Sequence, residues 1–166
     1  MVIMGICQGM QPIAGYNYGA RNMDRVKRVV RLAILVSVIS MTVGWLIGEL
    51  FTGTCVRLFT EDSALIDIAV RGIRINMLVF PVIGYQATVT NFFQTIGKVR
   101  ISIFMSLSRQ LLFLLPMMLL FAALWGLDGV WASLPASDLA SFLVAVVIMQ
   151  RFKLSHHELK QQGQPD

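Results

Sequence analysis

An all-α fold, a polytopic transmembrane helix bundle of about five helices, is what this sequence predicts, and three observations predict it. Of its 166 residues, 56% are hydrophobic and only 14% charged, with a mean hydropathy of +0.70. A soluble domain carries about 25% charged residues. Second, the apolar residues gather into runs near the roughly 20 residues that cross a hydrocarbon core. Third, the Lys and Arg residues flank those runs in clusters instead of spreading over a surface. Together these exclude a soluble enzyme or binding domain.

The runs, in order, are residues 1–18, 32–52, 73–93, 101–124 and 129–150, so residues 1–154 are expected to form the bundle and 155–166 a polar tail. The first run opens directly on Met1, Val2, Ile3 and Met4 without the charged region that begins a secretory signal. The chain is therefore expected to start inside a helix, as a fragment or internal start would; a natural short protein is the alternative. Within the first two runs, Gly5 and Gly9, Gly15 and Gly19, and Gly44 and Gly48 have the spacing that lets helices approach closely in lipid.

Basic residues set the orientation. Five fall between Arg21 and Arg31, two at Lys98 and Arg100, and three at Arg151, Lys153 and Lys160, all on one side; Arg57, Arg71 and Arg74 fall on the other. Loops rich in Lys and Arg stay in the cytoplasm. A multi-pass protein of the cell membrane with a cytoplasmic C-terminus is expected. The net charge of +5 thus belongs to cytoplasmic loops flanking the apolar runs, and no nucleic-acid partner is implied. Cys7 and Cys55 form no CxxC pair and stand far from His156 and His157, so neither a metal site nor a disulfide framework is expected. No catalytic motif is present and no cofactor is implied.

Pro12, Pro81, Pro116 and Pro135 lie inside the runs, where each removes a backbone hydrogen bond. The last three fall roughly 9 to 13 Å below the outer surface. They are hinge candidates, with ordinary membrane-helix proline as the alternative. Gln86, Thr90 and Gln94 are spaced to share one helix face, as are Ser102, Ser106 and Arg109. Such rows either join helices or line a wet cavity, because in lipid they would go unsatisfied.

Three ionisable residues lie within the runs. Glu49 is close enough to the outer end to reach the interface, while Arg109 and Asp138 lie about 12 and 18 Å from the inner side. An arginine side chain spans that difference, so an Arg109 to Asp138 pair is predicted. Either the two charges merely neutralise each other, or Asp138, just beyond Pro135, holds a coupling H⁺ or Na⁺.

The string QGMQPIAGYNYGARNMDRVKRVV from Gln8, NFFQTIGKVR at 91–100, SRQLLFLLP at 108–116 and GLDGVWASLPASD at 126–138 resemble, in consistent order, the multidrug and toxic compound extrusion (MATE) transporters. That resemblance implies twelve helices in two six-helix lobes, this chain being the later five of the second lobe and lacking the first. It also implies antiport of organic cations and drugs against Na⁺ or H⁺, with no other cofactor. The partners it implies are membrane lipid, small organic cations and the missing N-terminal lobe. By the same resemblance Gln8 and Gln11, one turn apart, face the lobe's cavity, and Pro12, Tyr16, Asn17, Gly19 and Ala20 match its loop-proximal pattern. Gln8, Gln11, Asn17, Gln86, Thr90 and Gln94 are thus the substrate-cavity candidates, and Asp138 and Arg109 the coupling-ion or buried-charge candidates. Ten methionines suit adaptable binding or serve as plain filler. A lipid-linked oligosaccharide flippase of the same superfamily and an inactive half-transporter are the alternative readings.

Overall fold

The computed structural model describes residues 1–58 and 62–162, with the backbone alone at residue 64 and residues 153–162. Among the described residues every regular element is helical. Helix α1, Val2–Gly19, ends in a tight turn in which Arg21 takes a φ of 57°. Asn22 then caps α2, Met23–Arg57, its side-chain oxygen accepting from the Arg25 amide at 3.4 Å. At 35 residues α2 is about 52 Å long, well beyond a hydrocarbon core of about 30 Å. The basic stretch from Arg25 to Arg31, expected in a loop, therefore forms the first turns of this helix. With no Gly or Pro between Met23 and Gly44, nothing in the sequence interrupts the helix there.

The run at 73–93 is not one helix. It is shared between α3, Ser63–Met77, and α4, Phe80–Thr95, which meet at a break over Leu78 and Val79. Pro81 explains the position of the break. A ring without an N–H fits the first turn of a helix, where that donor has no intrahelical partner, so a new helix starts here instead of the old one running through.

Beyond a turn at Gly97 comes α5, Val99–Leu107, continued by a π-helical segment, Ser108–Leu114, into α6, Leu115–Gln162. The wider π turn precedes Pro116 and relaxes the ring's conflict with the preceding turn. Within α6, Gly126 has φ 60° and ψ −131°, and the chain folds back there. Only glycine visits that region without strain. Pro12 and Pro135, by contrast, lie in backbone that stays helical on both sides. Of the four expected hinges, two thus sit beside real irregularities, and the sharpest irregularity falls at a glycine. The helical backbone runs through the expected tail as far as Gln162; residues 163–166 and the side chains of His156 and His157 lie outside the described residues.

Helix α4 is the hub, packing against α1, α2 and α6, while α5 and the π segment lie along α6. A core of Met10, Ala14, Val30, Val89, Phe92 and Phe93 fills the basic end of the bundle. The outward faces are apolar: Leu32, Leu35, Ile39, Val43 and Leu46 on α2, and Leu111, Leu112, Leu115 and Leu119 on the hairpin, are all exposed. A surface of that kind suits lipid or the apolar faces of further membrane helices. By length and composition, α2 and the stretch Val99–Phe152 each suffice to cross a bilayer.

Candidate functional site

Helices α1 and α4 run side by side with a constant offset. Cys7 meets the Thr88 hydroxyl, Gln11 Nε2 donates to Asn91 Oδ1 at 3.3 Å, and a side chain at Gly15 would touch Thr95 at 3.5 Å. Matched steps of three or four residues on both helices produce this ladder, because those positions share a face. Helix α2 joins it from the other side. The Thr88 hydroxyl lies 2.9 Å from both Ser37 Oγ and the Gly84 carbonyl, so Thr88 donates to the carbonyl while Ser37 donates to Thr88. Both hydroxyls have no exposure at all.

Gly84 makes this contact possible. A Cβ there would stand 2.9 Å from the Ser37 carbonyl oxygen, so α2 and α4 pack backbone to backbone. Of the glycines whose spacing suggested close approach, Gly15 and Gly48 do face neighbours, at Thr95 and Met77. Gly5, Gly9, Gly19 and Gly44 face open space.

The six expected cavity residues do not form one group. Gln8 and Gln94 are exposed, and Gln11 is half-buried against Asn91. Asn17 is buried, but its amide donates to the Ile13 carbonyl at 2.8 Å and its own carbonyl accepts from the Asn22 amide at 2.9 Å, so it closes the α1 turn. Gln86 is buried, and its Oε1 has no hydrogen-bond partner among the described residues; one turn on, Thr90 donates to the Gln86 carbonyl at 2.9 Å. The row Gln86, Thr90, Gln94 therefore passes from the bundle interior to its surface. In the other row Ser102 is buried, Ser106 exposed and Arg109 intermediate.

Arg109 and Asp138 meet. Arg109 Nε donates to Asp138 Oδ1 at 2.7 Å, with the carboxylate side chain 5% exposed and the guanidinium 41%. The π segment presents Arg109 toward α6, consistent with the tendency of such turns to occur at special sites. Proline does less for Asp138 than its position suggests. The carbonyl that Pro135 leaves without its helical donor is that of Trp131, about 10 Å along the axis from Asp138. The nearer carbonyl of Leu134 accepts from Ser137 at 2.8 Å, and that of Val130, one residue beyond Trp131, accepts from Ser133 at 2.7 Å. Glu49 pairs with Arg74 at 3.1 Å at the opposite end of the bundle from the basic cluster.

Three features escaped the sequence reading: Asn91 as the partner of Gln11, the Ser37 to Thr88 knot, and the buried row Ser133, Ser137 and Ser141 on α6. The serine row carried a visible signal in its four-residue spacing. The other two did not, since they depend on which helices become neighbours.

Comparison with known proteins identifies the setting of these residues. The family model described as MatE matches residues 1–126. The multidrug export protein MepA of Staphylococcus aureus (strain NCTC 8325 / PS 47) is 29% identical over 167 residues, covering 96% of this chain and 36% of the relative. The Staphylococcus saprophyticus protein of the same name is 24% identical over 163 residues, with the same two shares covered. Among solved structures, the MATE multidrug transporter DinF-BH is 38% identical, with a TM-score of 0.85 over 90% of this chain and 33% of that one. An inward-facing multidrug resistance MATE family transporter of the MOP superfamily, 20% identical, shares the fold with a TM-score of 0.86 over 98% of this chain and 37% of that one. The chain thus spans about a third of the length of these proteins. With most of its length matched by the family model and nearly all of it by the fold, the chain belongs to the MatE family of multi-pass membrane transporters.

Proposed function

We propose that this chain is the second-lobe portion of an antiporter that exports cationic or amphiphilic drugs and toxins, coupled to inward flow of Na⁺ or H⁺. The observation that carries the reading is membership of the MatE family together with relatives named as multidrug exporters. Since the chain corresponds to 36% of those relatives, export is assigned to the chain acting with a first lobe. The preference of Lys- and Arg-rich ends for the inner side of the membrane supports a cytoplasmic C-terminus in this reading.

Within this reading Gln8 and Gln94, exposed on α1 and α4, are the residues available to substrate, with the half-buried Gln11 held against Asn91 beside them. Gln86, Thr90 and Asn17 shape the helices behind them. Asp138 is the candidate for the coupling ion, and coupling through it requires the contact with Arg109 to open during the cycle. Prolines beside the α3 to α4 break and the π segment are the candidate hinges.

Efflux of ethidium or norfloxacin from cells expressing the chain alone, and joined to the coding region upstream of Met1, under imposed Na⁺ and H⁺ gradients, tests the proposal. Gradient-dependent efflux by the joined form is expected; its absence under both gradients overturns the antiporter reading. Asp138→Asn in an active joined form is expected to abolish the gradient dependence, and unchanged dependence removes Asp138 from the coupling step.

A further inference from the structure

Between α2, α4 and α6, at the basic end of the bundle, lies a cleft of about 400 Å³. That is within the range of about 300 to 1,000 Å³ usual for small-ligand sites. Its walls are apolar, built from Val30, Ile34, Phe92 and Met149 with Tyr85 and Phe152 at the sides, and none of the six substrate-cavity candidates lines it. Two cations break the apolar lining. Lys27 and Arg31, one turn apart on α2, both border the cleft and are exposed, and neither has an ion-pair partner among the described residues. No carboxylate is among the described lining residues. Lys98 adds a third positive charge nearby, its Nζ lying 4.6 Å from the centre of the Phe152 ring that forms part of the wall. Asp24, on the first turn of α2, makes an interaction of its own and does not line the cleft.

An apolar slot between membrane helices with cations at one end is complementary to a molecule that is anionic at one end and hydrocarbon at the other. A cationic drug would meet repulsion here. We propose that this cleft is a binding site for an anionic glycerophospholipid, whose phosphodiester lies against Lys27 and Arg31 while the start of an acyl chain lies along Val30 and Ile34. Basic pockets between transmembrane helices bind lipid headgroups in this way, and a direct hydrogen bond to a charged phosphodiester adds about tenfold per residue. The inference depends on the chain lying in a membrane and not on drug export, so it and the efflux reading stand or fall separately.

The test uses the purified chain in phosphatidylcholine nanodiscs doped with phosphatidylglycerol, transferred to mild detergent and analysed by native mass spectrometry for retained lipid. The wild-type chain is expected to retain phosphatidylglycerol in preference to phosphatidylcholine. The double variant Lys27→Gln/Arg31→Gln is expected to bind it about a hundredfold more weakly. A matched loss of charge outside the cleft, Arg25→Gln/Arg28→Gln, is expected to leave retention within about twofold, which separates a site from bulk attraction. Ile34→Trp, which fills the slot without changing charge, is expected to reduce retention as well. Equal losses in the two double variants overturn the proposal. So does displacement of the lipid by millimolar inorganic phosphate, which would mark a plain phosphate site, or recovery of a second copy of the chain seated on the cleft in place of lipid.

Discussion

The α1, α2 and α4 core and the hairpin formed by α5, the π segment and α6 solve the same problem in opposite ways. Both must hold helices together where the hydrophobic effect gives no drive between them, because lipid is as apolar as the side chains. The core uses small residues and neutral hydroxyls: Gly84 against the Ser37 backbone, Thr88 with Ser37, Gln11 with Asn91. Its helices are continuous and its contacts close. The hairpin also has one close glycine approach, Gly129 against the Phe121 backbone where the chain folds back at Gly126, but its long-range polar contact is a charged one, between Arg109 on the π segment and Asp138. Many weak neutral contacts give a stiff unit that tolerates losing any one; a single ion pair concentrates the dependence on two residues.

That contrast can be broken most directly at the pair. Arg109→Leu leaves a nearly buried carboxylate without its partner, and removing one member of a buried pair costs roughly 3 to 5 kcal/mol. Arg109 is itself more than a third exposed, so screening brings the expected loss to about 3 kcal/mol, read as a lower midpoint in denaturant unfolding of the micelle-bound chain. The double variant Arg109→Leu/Asp138→Leu is expected to regain most of that loss; if it does not, the pair is not an isolated charge compensation.

Next in size is Gly84→Val, expected to cost about 1 to 3 kcal/mol by driving α2 and α4 apart, and visible as a faster exchange of backbone amides across both helices. Gly126→Ala forces a Cβ into a backbone region that side chains rarely adopt, for which about 1 to 3 kcal/mol is expected, confined to the hairpin in the same exchange measurement. Smallest is Thr88→Val. Interhelical hydrogen bonds in membranes average about 0.6 kcal/mol and reach about 1.7, and a double-mutant cycle with Ser37→Ala is expected to return a coupling in that range. A coupling near zero would make the core a matter of packing alone.

How much could be read in advance varies with the kind of feature. Arg109 and Asp138 were legible as a pair because their depths follow from counting residues along adjacent helices. Asn17 was legible as part of a motif but not in its role, since closing a turn through Ile13 and Asn22 depends on local backbone geometry. Gly84 has a second small residue at helix spacing in Thr88, a signal that the reading for paired glycines passed over, whereas the pair Gly5 and Gly9 faces open space. A motif states that a close approach is possible; the neighbour decides whether it happens.

By itself the amino-acid sequence determined that this chain is helical, lives in lipid and carries its positive charge at one end, because those properties are sums over many residues and no arrangement of neighbours reverses them. Only the tertiary structure decided where the 73–93 run breaks, which glycine carries the tight crossing, and that the expected cavity residues divide between surface, interior and turn. Each of those turns on which helix lies beside which, and on the rotation of its face, a difference of one residue being about 100°.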